Sequence, residues 1–242
     1  PHLSRPRILE KDPDQNPENP VPCVPPAYGA TMRRTKTEAL QTREQSMLAA
    51  LDVFYHKGVS RASLDEIAHA AGVTRGARYW HFKNKEALFD ALFQHIFNEM
   101  SQKLDEDIRN DAPNMLETLR LALINNFERI QHNETHRKFC HILYLKCEHT
   151  EQNEAIVKLM DNYQQMWRQQ TINALQLCIK QGAFPANLDI DLALIYFKST
   201  VFGLSLQWLI NPERFDLSKT AACITDTVIH ALQNRPSLRR PE

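Results

Sequence analysis

The sequence predicts an all-α fold. Apolar residues recur at three- and four-residue steps through most of the chain after Met32, and no stretch shows the alternation typical of a strand. The 242 residues include only six glycines, and Pro113, Pro185 and Pro212 separate the helical segments. With 43% hydrophobic and 24% charged residues, the chain can form one large helical domain or two small ones.

Residues 1–31 form a separate, proline-rich segment. Eight of the 13 prolines lie between Pro1 and Pro26. Because proline lacks a backbone N–H and blocks helix formation, we expect a disordered extension here, with a recognition arm as the alternative. The composition changes at Met32, which is therefore a candidate start of the functional protein.

Local start and stop signals predict the helices in order. The first helix ends near Gly58. Ser63 and Glu66 form a capping box before a short helix, which stops at Gly72. Asn84 caps a longer helix. Helical patterns then cover residues 84–104, 114–131, 135–149, 153–181, 189–210 and 217–234.

Residues 63–82 have the features of a helix-turn-helix. Gly72 supplies a left-handed turn, and Thr74 can cap a second helix within three residues. Residues 33–85 contain 10 Lys and Arg against 5 Asp and Glu, whereas residues 86–242 contain 16 against 20. This asymmetry indicates that the basic part meets a polyanion, and we predict a second helix in the major groove of double-stranded DNA. The alternative is an ordinary helical hairpin with a solvated basic face.

Position in this motif gives candidate DNA contacts. Residues at the start of the second helix reach base edges, where Arg75 can pair with a guanine and Ala77 can touch a thymine methyl. Basic and polar side chains around them can contact phosphates. The candidates are Arg33, Arg34, Lys36, Ser63, Thr74, Arg75, Ala77, Tyr79, His81 and Lys85.

The two last helices are candidates for an interface between subunits. Residues 189–210 are apolar nearly all round, which predicts burial on more than one side. An apolar stripe that includes Val228 runs along the last helix, and plain monomer core is the alternative. We identify no apolar run long enough to span a membrane and no signal peptide, and we predict a cytoplasmic protein with no membrane partner.

Aromatic and polar residues that interrupt apolar helix faces are candidates for a small-molecule pocket. A drug-sized, hydrophobic ligand requires apolar walls with a few polar groups. An aromatic stripe in a helical core is the simpler interpretation of the same pattern. The candidates are Phe139, His141, Tyr144, Tyr163, Trp167, Phe202 and Leu206.

Metal, cofactor and catalytic motifs receive little support. The five cysteines are odd in number and scattered, which argues against a disulfide framework. Cys140, His141, Cys147 and His149 are close in sequence, but the compact spacing of a zinc site is missing. There is no nucleophile elbow. We therefore predict no metal, no cofactor and no enzymatic activity.

The residues of the helix-turn-helix carry a specific resemblance. RRTKTEALQTRE and FYHKGVSRASLDEIAHAAGVTRGARYWHFKNKEALFDAL resemble the TetR family of repressors. LYLKCEHTEQN, WRQQ and FDLSKTA with a closing LRR are similar to its efflux-pump branch (AcrR, TtgR and MtrR), with MtrR nearest. The resemblance implies a homodimer, with a DNA-binding domain in residues 32–83 and a ligand-binding and dimerisation domain in residues 84–242. It also implies a repressor that leaves an inverted-repeat operator when hydrophobic drugs or bile-salt-like inducers bind.

Three positions depart from the family pattern. Arg78 stands where an apolar residue packs between the two helices of the motif, and Ser46 stands at a usually apolar position in the first helix. Both support an alternative, an all-α small-molecule-binding protein whose DNA-binding module is impaired. Phe202 precedes Gly203 where related repressors often carry an acid, which favours an apolar or steroid-like ligand over a cation.

Overall fold

The computed structural model describes residues 36–73, 82–147 and 153–240. Within these ranges the regular structure is helical, and strand-type pairing is limited to one bridge between Leu188 and Arg239. The predicted all-α fold is therefore confirmed. The described α-helices are α1 (Lys36–Lys57), α2 (Leu64–Ala70), α3 (Lys85–Arg109), α4 (Met115–His132), α5 (Glu134–His141), α6 (Glu154–Lys180), α7 (Ile190–Ile210) and α8 (Leu217–Asn234).

The predicted caps start α2 and α3. Ser63 Oγ accepts a hydrogen bond from the Glu66 backbone N–H at 3.3 Å, and Glu66 Oε2 accepts one from the Ser63 N–H at 3.1 Å. Asn84 Oδ1 accepts from the Ala87 N–H at 2.8 Å. These acceptors satisfy N–H groups that have no partner inside the helix. Helix α3 continues past the predicted end at residue 104 to Arg109.

Two apolar clusters form the core. The first joins α1 and α2 to the first half of α3 and to α5, and it includes the inaccessible side chains of Phe54 and Leu88. The second joins α4, α6, α7 and α8 around Leu175 and Leu232. The first cluster contains residues from helices on both sides of residue 83. The core packing is therefore continuous across the predicted domain boundary. The boundary itself stays a prediction.

Helix α7 corrects one expectation from the sequence. It is long and apolar enough to cross a membrane, although a third of its most apolar window is buried inside the protein. Ala193, Leu194 and Phe197 pack in the second cluster, whereas Ile195 is 64% exposed. The helix is therefore apolar on its core face and also on a face that the subunit leaves uncovered.

The segment predicted as one helix over residues 135–149 changes its winding. After α5, residues Ile142–Lys146 form a single π-helical turn, and Cys147 is extended. Carbonyl groups in the last turn of a helix have no partner within that helix. Here the carbonyl oxygen of Lys146 accepts a hydrogen bond from the Val59 N–H at 3.3 Å, which joins this turn to the α1–α2 connection.

Candidate functional site

The first half of the predicted helix-turn-helix is described. Ile67 and Ala68 on α2 are buried, and Gly72 has φ = +64°, which favours glycine over residues with a side chain. The Gly72 N–H donates to the His69 carbonyl at 3.0 Å, and the Val73 N–H donates to the Ala68 carbonyl at 3.0 Å. This closes the end of α2 and turns the chain where the motif requires it.

Most of the predicted DNA contacts lie outside the described residues. Lys36 is the exposed first residue of α1, and Ser63 is the exposed cap of α2. Their contact with DNA stays a prediction. The candidates outside the described ranges are Arg33, Arg34, Thr74, Arg75, Ala77, Tyr79 and His81, and the family departure at Arg78 lies there as well.

Ser46 fits its buried position in α1. It is 2% exposed, and its hydroxyl donates to the Thr42 carbonyl at 2.8 Å, while the Thr42 hydroxyl donates to the Glu38 carbonyl at 2.8 Å. A buried hydroxyl with a carbonyl partner avoids the main cost of burying a polar group. The departure at Ser46 therefore gives no support to an impaired module.

Lys85 has partners within the protein. Its ammonium donates to the carbonyl oxygens of Val59 at 2.9 Å and Ser60 at 3.3 Å. These bonds tie the start of α3 to the α1–α2 connection. The buried Asn153, just before α6, also donates from its side-chain amide to the Ser60 hydroxyl. The predicted phosphate contact of Lys85 stays a prediction, and the structure adds this tethering role that the sequence did not reveal.

Helix α1 is also joined to α5. Lys138 Nζ lies 2.7 Å from Asp52 Oδ1 on α1, and the His141 ring lies 4.7 Å from the ring of Tyr55. The pKa of His141 is lowered, mainly by burial and also by Lys146. These contacts, with those of Lys85, hold α1 and the α1–α2 connection against both α3 and α5.

A cavity of about 640 Å³ opens between α3, α4, α6 and α7. Apolar side chains from both core clusters form its walls, and its size suits a drug-sized ligand. The charged residues in its lining include Glu99, Lys103 and Glu117, whose side chains are 62%, 80% and 48% exposed. The apolar lining includes Phe97, Met100, Leu104, Leu119, Ala122, Leu123, Trp167, Phe197 and Val201.

Trp167 is the predicted ligand residue that lies in this cavity. Its ring centroid is 5.9 Å from that of Phe197 across the α6–α7 contact. Sequence reasoning missed Gln170 and Thr171 on α6, which also line the cavity. They lie one turn after Trp167 on the same helix face, and this spacing was the only hint that the sequence offered. Their place in the cavity depends on how α3 packs across α6, which the sequence does not show.

The other six predicted ligand residues lie outside the lining of this cavity, and their part in ligand binding stays a prediction. Tyr163 stacks on Phe93 with ring centroids 4.0 Å apart and donates its hydroxyl to Asp90 Oδ1 at 2.9 Å. Burial is the main reason that the pKa of Tyr163 is raised, and the hydrogen bond to Asp90 raises it further. Ring contacts within the subunit involve Phe139, His141, Tyr144, Tyr163 and Phe202, and Leu206 is half-buried on α7.

The cysteines considered as metal ligands have other neighbours. Cys140 Sγ lies 3.6 Å from His136 Nε2, and Cys147 Sγ lies 3.0 Å from the sulfur of Met160. Burial raises the pKa of Cys140 to about 12, which keeps the thiol protonated. The described ranges contain no cluster of three His, Cys, Asp or Glu side chains suited to a metal ion, and His149 lies outside them.

Two families match the chain. Residues 47–92 match the family "Bacterial regulatory proteins, tetR family", and residues 114–234 match "MAATS-type transcriptional repressor, C-terminal region". The probable acrEF/envCD operon repressor of Escherichia coli K12 is 35% identical over 201 residues, which cover 81% of this chain and 89% of the relative. The predicted family is therefore confirmed, whereas the particular nearness to MtrR stays a prediction.

Solved structures agree with this assignment. NalD, the secondary repressor of the MexAB-OprM multidrug efflux pump in Pseudomonas aeruginosa, is 27% identical with a TM-score of 0.68 and covers 82% of this chain and 99% of its own. The SmeT–triclosan complex is 25% identical with a TM-score of 0.74 and covers 84% and 99%. With the family matches, these likenesses show that the chain belongs to the TetR family and is a DNA-binding transcriptional repressor.

Proposed function

We propose that this protein is a cytoplasmic, homodimeric repressor of a multidrug efflux operon, released from an inverted-repeat operator by apolar drugs or bile-salt-like inducers. The Escherichia coli relative is a probable operon repressor, NalD represses a multidrug efflux pump, and a structure of a SmeT–triclosan complex has been solved. The cavity supports a ligand-responsive role, because it combines the size and apolar walls that drug-sized molecules need.

The observation that carries the proposal is the position of α3. Its first residue, Lys85, is tied to the α1–α2 connection of the DNA-binding module. Its second half, from Phe97 to Asp107, forms one wall of the cavity. A ligand that pushes this wall therefore acts on a continuous helix whose other end holds the module. A repressor dimer must space its two recognition helices one DNA turn apart, so a small rotation of each module weakens binding.

The uncovered face of α7 supports the dimer. Leu192, Ile195 and Phe202 are 39%, 64% and 41% exposed and follow one another at helical spacing, although the opposite face of α7 is packed in the core. Such an apolar stripe on a DNA-binding protein fits a second copy of the subunit, because a two-fold axis places the same stripe opposite itself.

The first test is release from DNA. Fluorescence anisotropy should show specific binding to the fragment upstream of the gene, with an affinity that falls steeply as salt rises from 50 to 200 mM because phosphate contacts release counterions. Triclosan and deoxycholate should each dissociate the complex. A salt-independent affinity, or ligand binding that leaves the affinity for DNA unchanged, would contradict the proposal.

A matched pair of variants locates the inducer. Ala122 lines the cavity, whereas the exposed Ala186 follows α6 and lies outside the lining. Ala122→Trp fills the cavity, so we expect the inducer concentration for half release to rise about tenfold or more, with DNA affinity unchanged. Ala186→Trp should leave release unchanged. Equal responses of the two variants would show that inducers bind elsewhere.

A further inference from the structure

Gln170 is a buried polar residue on the mostly apolar wall of the cavity. It lies on α6 between Trp167 and Thr171 in the cavity lining, and it is 9% exposed. The Thr171 hydroxyl donates to the Trp167 carbonyl at 2.9 Å, so its hydrogen is committed to its own helix. A carboxamide in this position requires an explanation, because burying a polar group without partners is costly.

The orientation of the Gln170 side chain follows from its neighbours. Nε2 donates to the Ser101 carbonyl at 3.1 Å and to Asp105 Oδ1 at 2.8 Å, both on α3. A backbone carbonyl and a carboxylate oxygen accept hydrogen bonds, so the NH₂ group and not the amide oxygen must face α3. Both hydrogens of the NH₂ group are then used, and the carboxamide plane is fixed.

The amide oxygen is the part of Gln170 that remains available. Within the described part of the chain, no donor lies at hydrogen-bond distance from Oε1, and the residue borders the cavity. A fixed acceptor beside apolar walls is the arrangement that orients a ligand in a mostly apolar pocket. Its natural partner is a hydroxyl or N–H on the ligand.

The charges in the cavity lining favour a neutral donor over a cation. A buried ammonium needs a carboxylate partner to offset its desolvation. Glu99 and Glu117 are largely exposed, and Asp107 is paired with Lys103 at 2.6 Å. Asp105 already accepts from Gln170. A neutral hydroxyl or N–H needs only the amide oxygen.

We propose that Gln170 is the specificity-determining acceptor of the cavity, which selects apolar molecules that carry a neutral hydroxyl or N–H donor. This rests on the proposed function only for the cavity's role as the inducer site. Binding of a donor-bearing ligand leaves the two bonds to α3 intact. A ligand without a donor leaves the amide oxygen buried and without a partner, and it therefore binds more weakly.

The test compares triclosan, a phenol, with its O-methyl ether by isothermal titration calorimetry on the full chain. We expect the wild type to bind triclosan about tenfold more tightly than the ether, the effect of about one buried hydrogen bond. Gln170→Met removes the acceptor at similar volume, and the ratio should fall to about one. Gln169→Met is the matched control, because the exposed Gln169 donates to Asn173 on the same helix and should keep the tenfold ratio.

Each outcome decides the assignment. Equal binding of the two compounds to the wild type, no binding of either, or a ratio that persists in Gln170→Met overturns it. If Gln170→Met does not fold, Gln170→Asn retains a carboxamide that is one methylene shorter, and the same loss of the ratio is expected. Anisotropy with operator DNA keeps the two proposals apart: a ligand that binds with the predicted ratio but releases no DNA contradicts the repressor mechanism and leaves Gln170 as the acceptor.

Discussion

At the scale of single residues, His136 shows how burial sets chemistry in this protein. It lies in the first turn of α5, is 4% exposed, and has Cys140 Sγ 3.6 Å from its Nε2. Burial, with a smaller contribution from the charge of Arg129, lowers the pKa of His136 from 6.5 to about 4. The folded protein therefore holds this imidazole neutral at pH values where an unfolded chain has already bound a proton.

We predict that His136 makes the free energy of unfolding fall with pH between 6.5 and 4. In this window the unfolded state binds more protons than the folded state, so stability decreases as pH decreases. Relative to pH 7, the loss from this group is on the order of 3 kcal/mol at pH 4, and it levels off below that pH. Urea unfolding of the wild type and His136→Gln from pH 7.5 to 4 tests this. The difference in the free energy of unfolding between the wild type and His136→Gln should narrow or reverse as the pH falls. A difference that stays constant over this pH range would contradict the assigned pKa.

The residues that could be predicted from the sequence obey local rules. Ser63, Gly72 and Asn84 act within four residues of their own position, so capping and turn preferences identified them. Lys85 contacts Ser60, which lies 25 residues away in the sequence. Gln170 contacts Ser101, which lies 69 residues away. No local pattern reveals such partners, since they depend on how the helices cross.

At the scale of elements, the apolar faces of α7 and α8 differ in what covers them. The apolar stripe of α8 was predicted to face a partner, but Leu217, Val228 and Leu232 are buried in the subunit's own core. The pattern shows that a helix has an apolar face and does not show what covers it. The uncovered stripe lies on α7, where Ile195 is 64% exposed.

We predict that Ile195→Asp converts the dimer to a folded monomer. An unpaired carboxylate in a subunit interface is costly, whereas the isolated subunit leaves this position in water. Light scattering at micromolar concentration measures the mass, and circular dichroism verifies the helix content. Val228→Asp is the contrasting variant, because a charge at this 4% exposed position should unfold the subunit. A dimeric Ile195→Asp protein would show that the interface lies elsewhere.

Helix existence was predicted better than helix ends. The segments of α3 to α8 were all located, but α3 runs five residues beyond the expected end, and the expected helix over residues 135–149 becomes an α-helix followed by a π turn. Apolar periodicity changes little when a helix widens by one residue per turn. Contacts of the Lys146 carbonyl with the α1–α2 connection accompany this change, and they are not visible in the sequence.

At the scale of the whole molecule, α3 joins two sites that the fold keeps apart. The sequence could predict the all-α class and the family, because these depend on repeated local patterns and a helix-turn-helix. It could not place the cavity, which arises where four helices separated in sequence meet between two core clusters. Of the seven predicted ligand residues, Trp167 lines the cavity and the other six do not. Aromatic residues also pack in ordinary helical cores, so their pattern alone does not locate a cavity.

The central claim is that the cavity and the DNA-binding module are coupled through α3, and coupling between two binding sites is reciprocal. The most direct measurement is the Kd of triclosan with and without saturating operator DNA, beside the Kd of the DNA with and without saturating triclosan. We expect both affinities to fall by the same factor, of about 5- to 150-fold as is typical of allosteric proteins. A triclosan affinity that is unchanged by DNA would contradict the account.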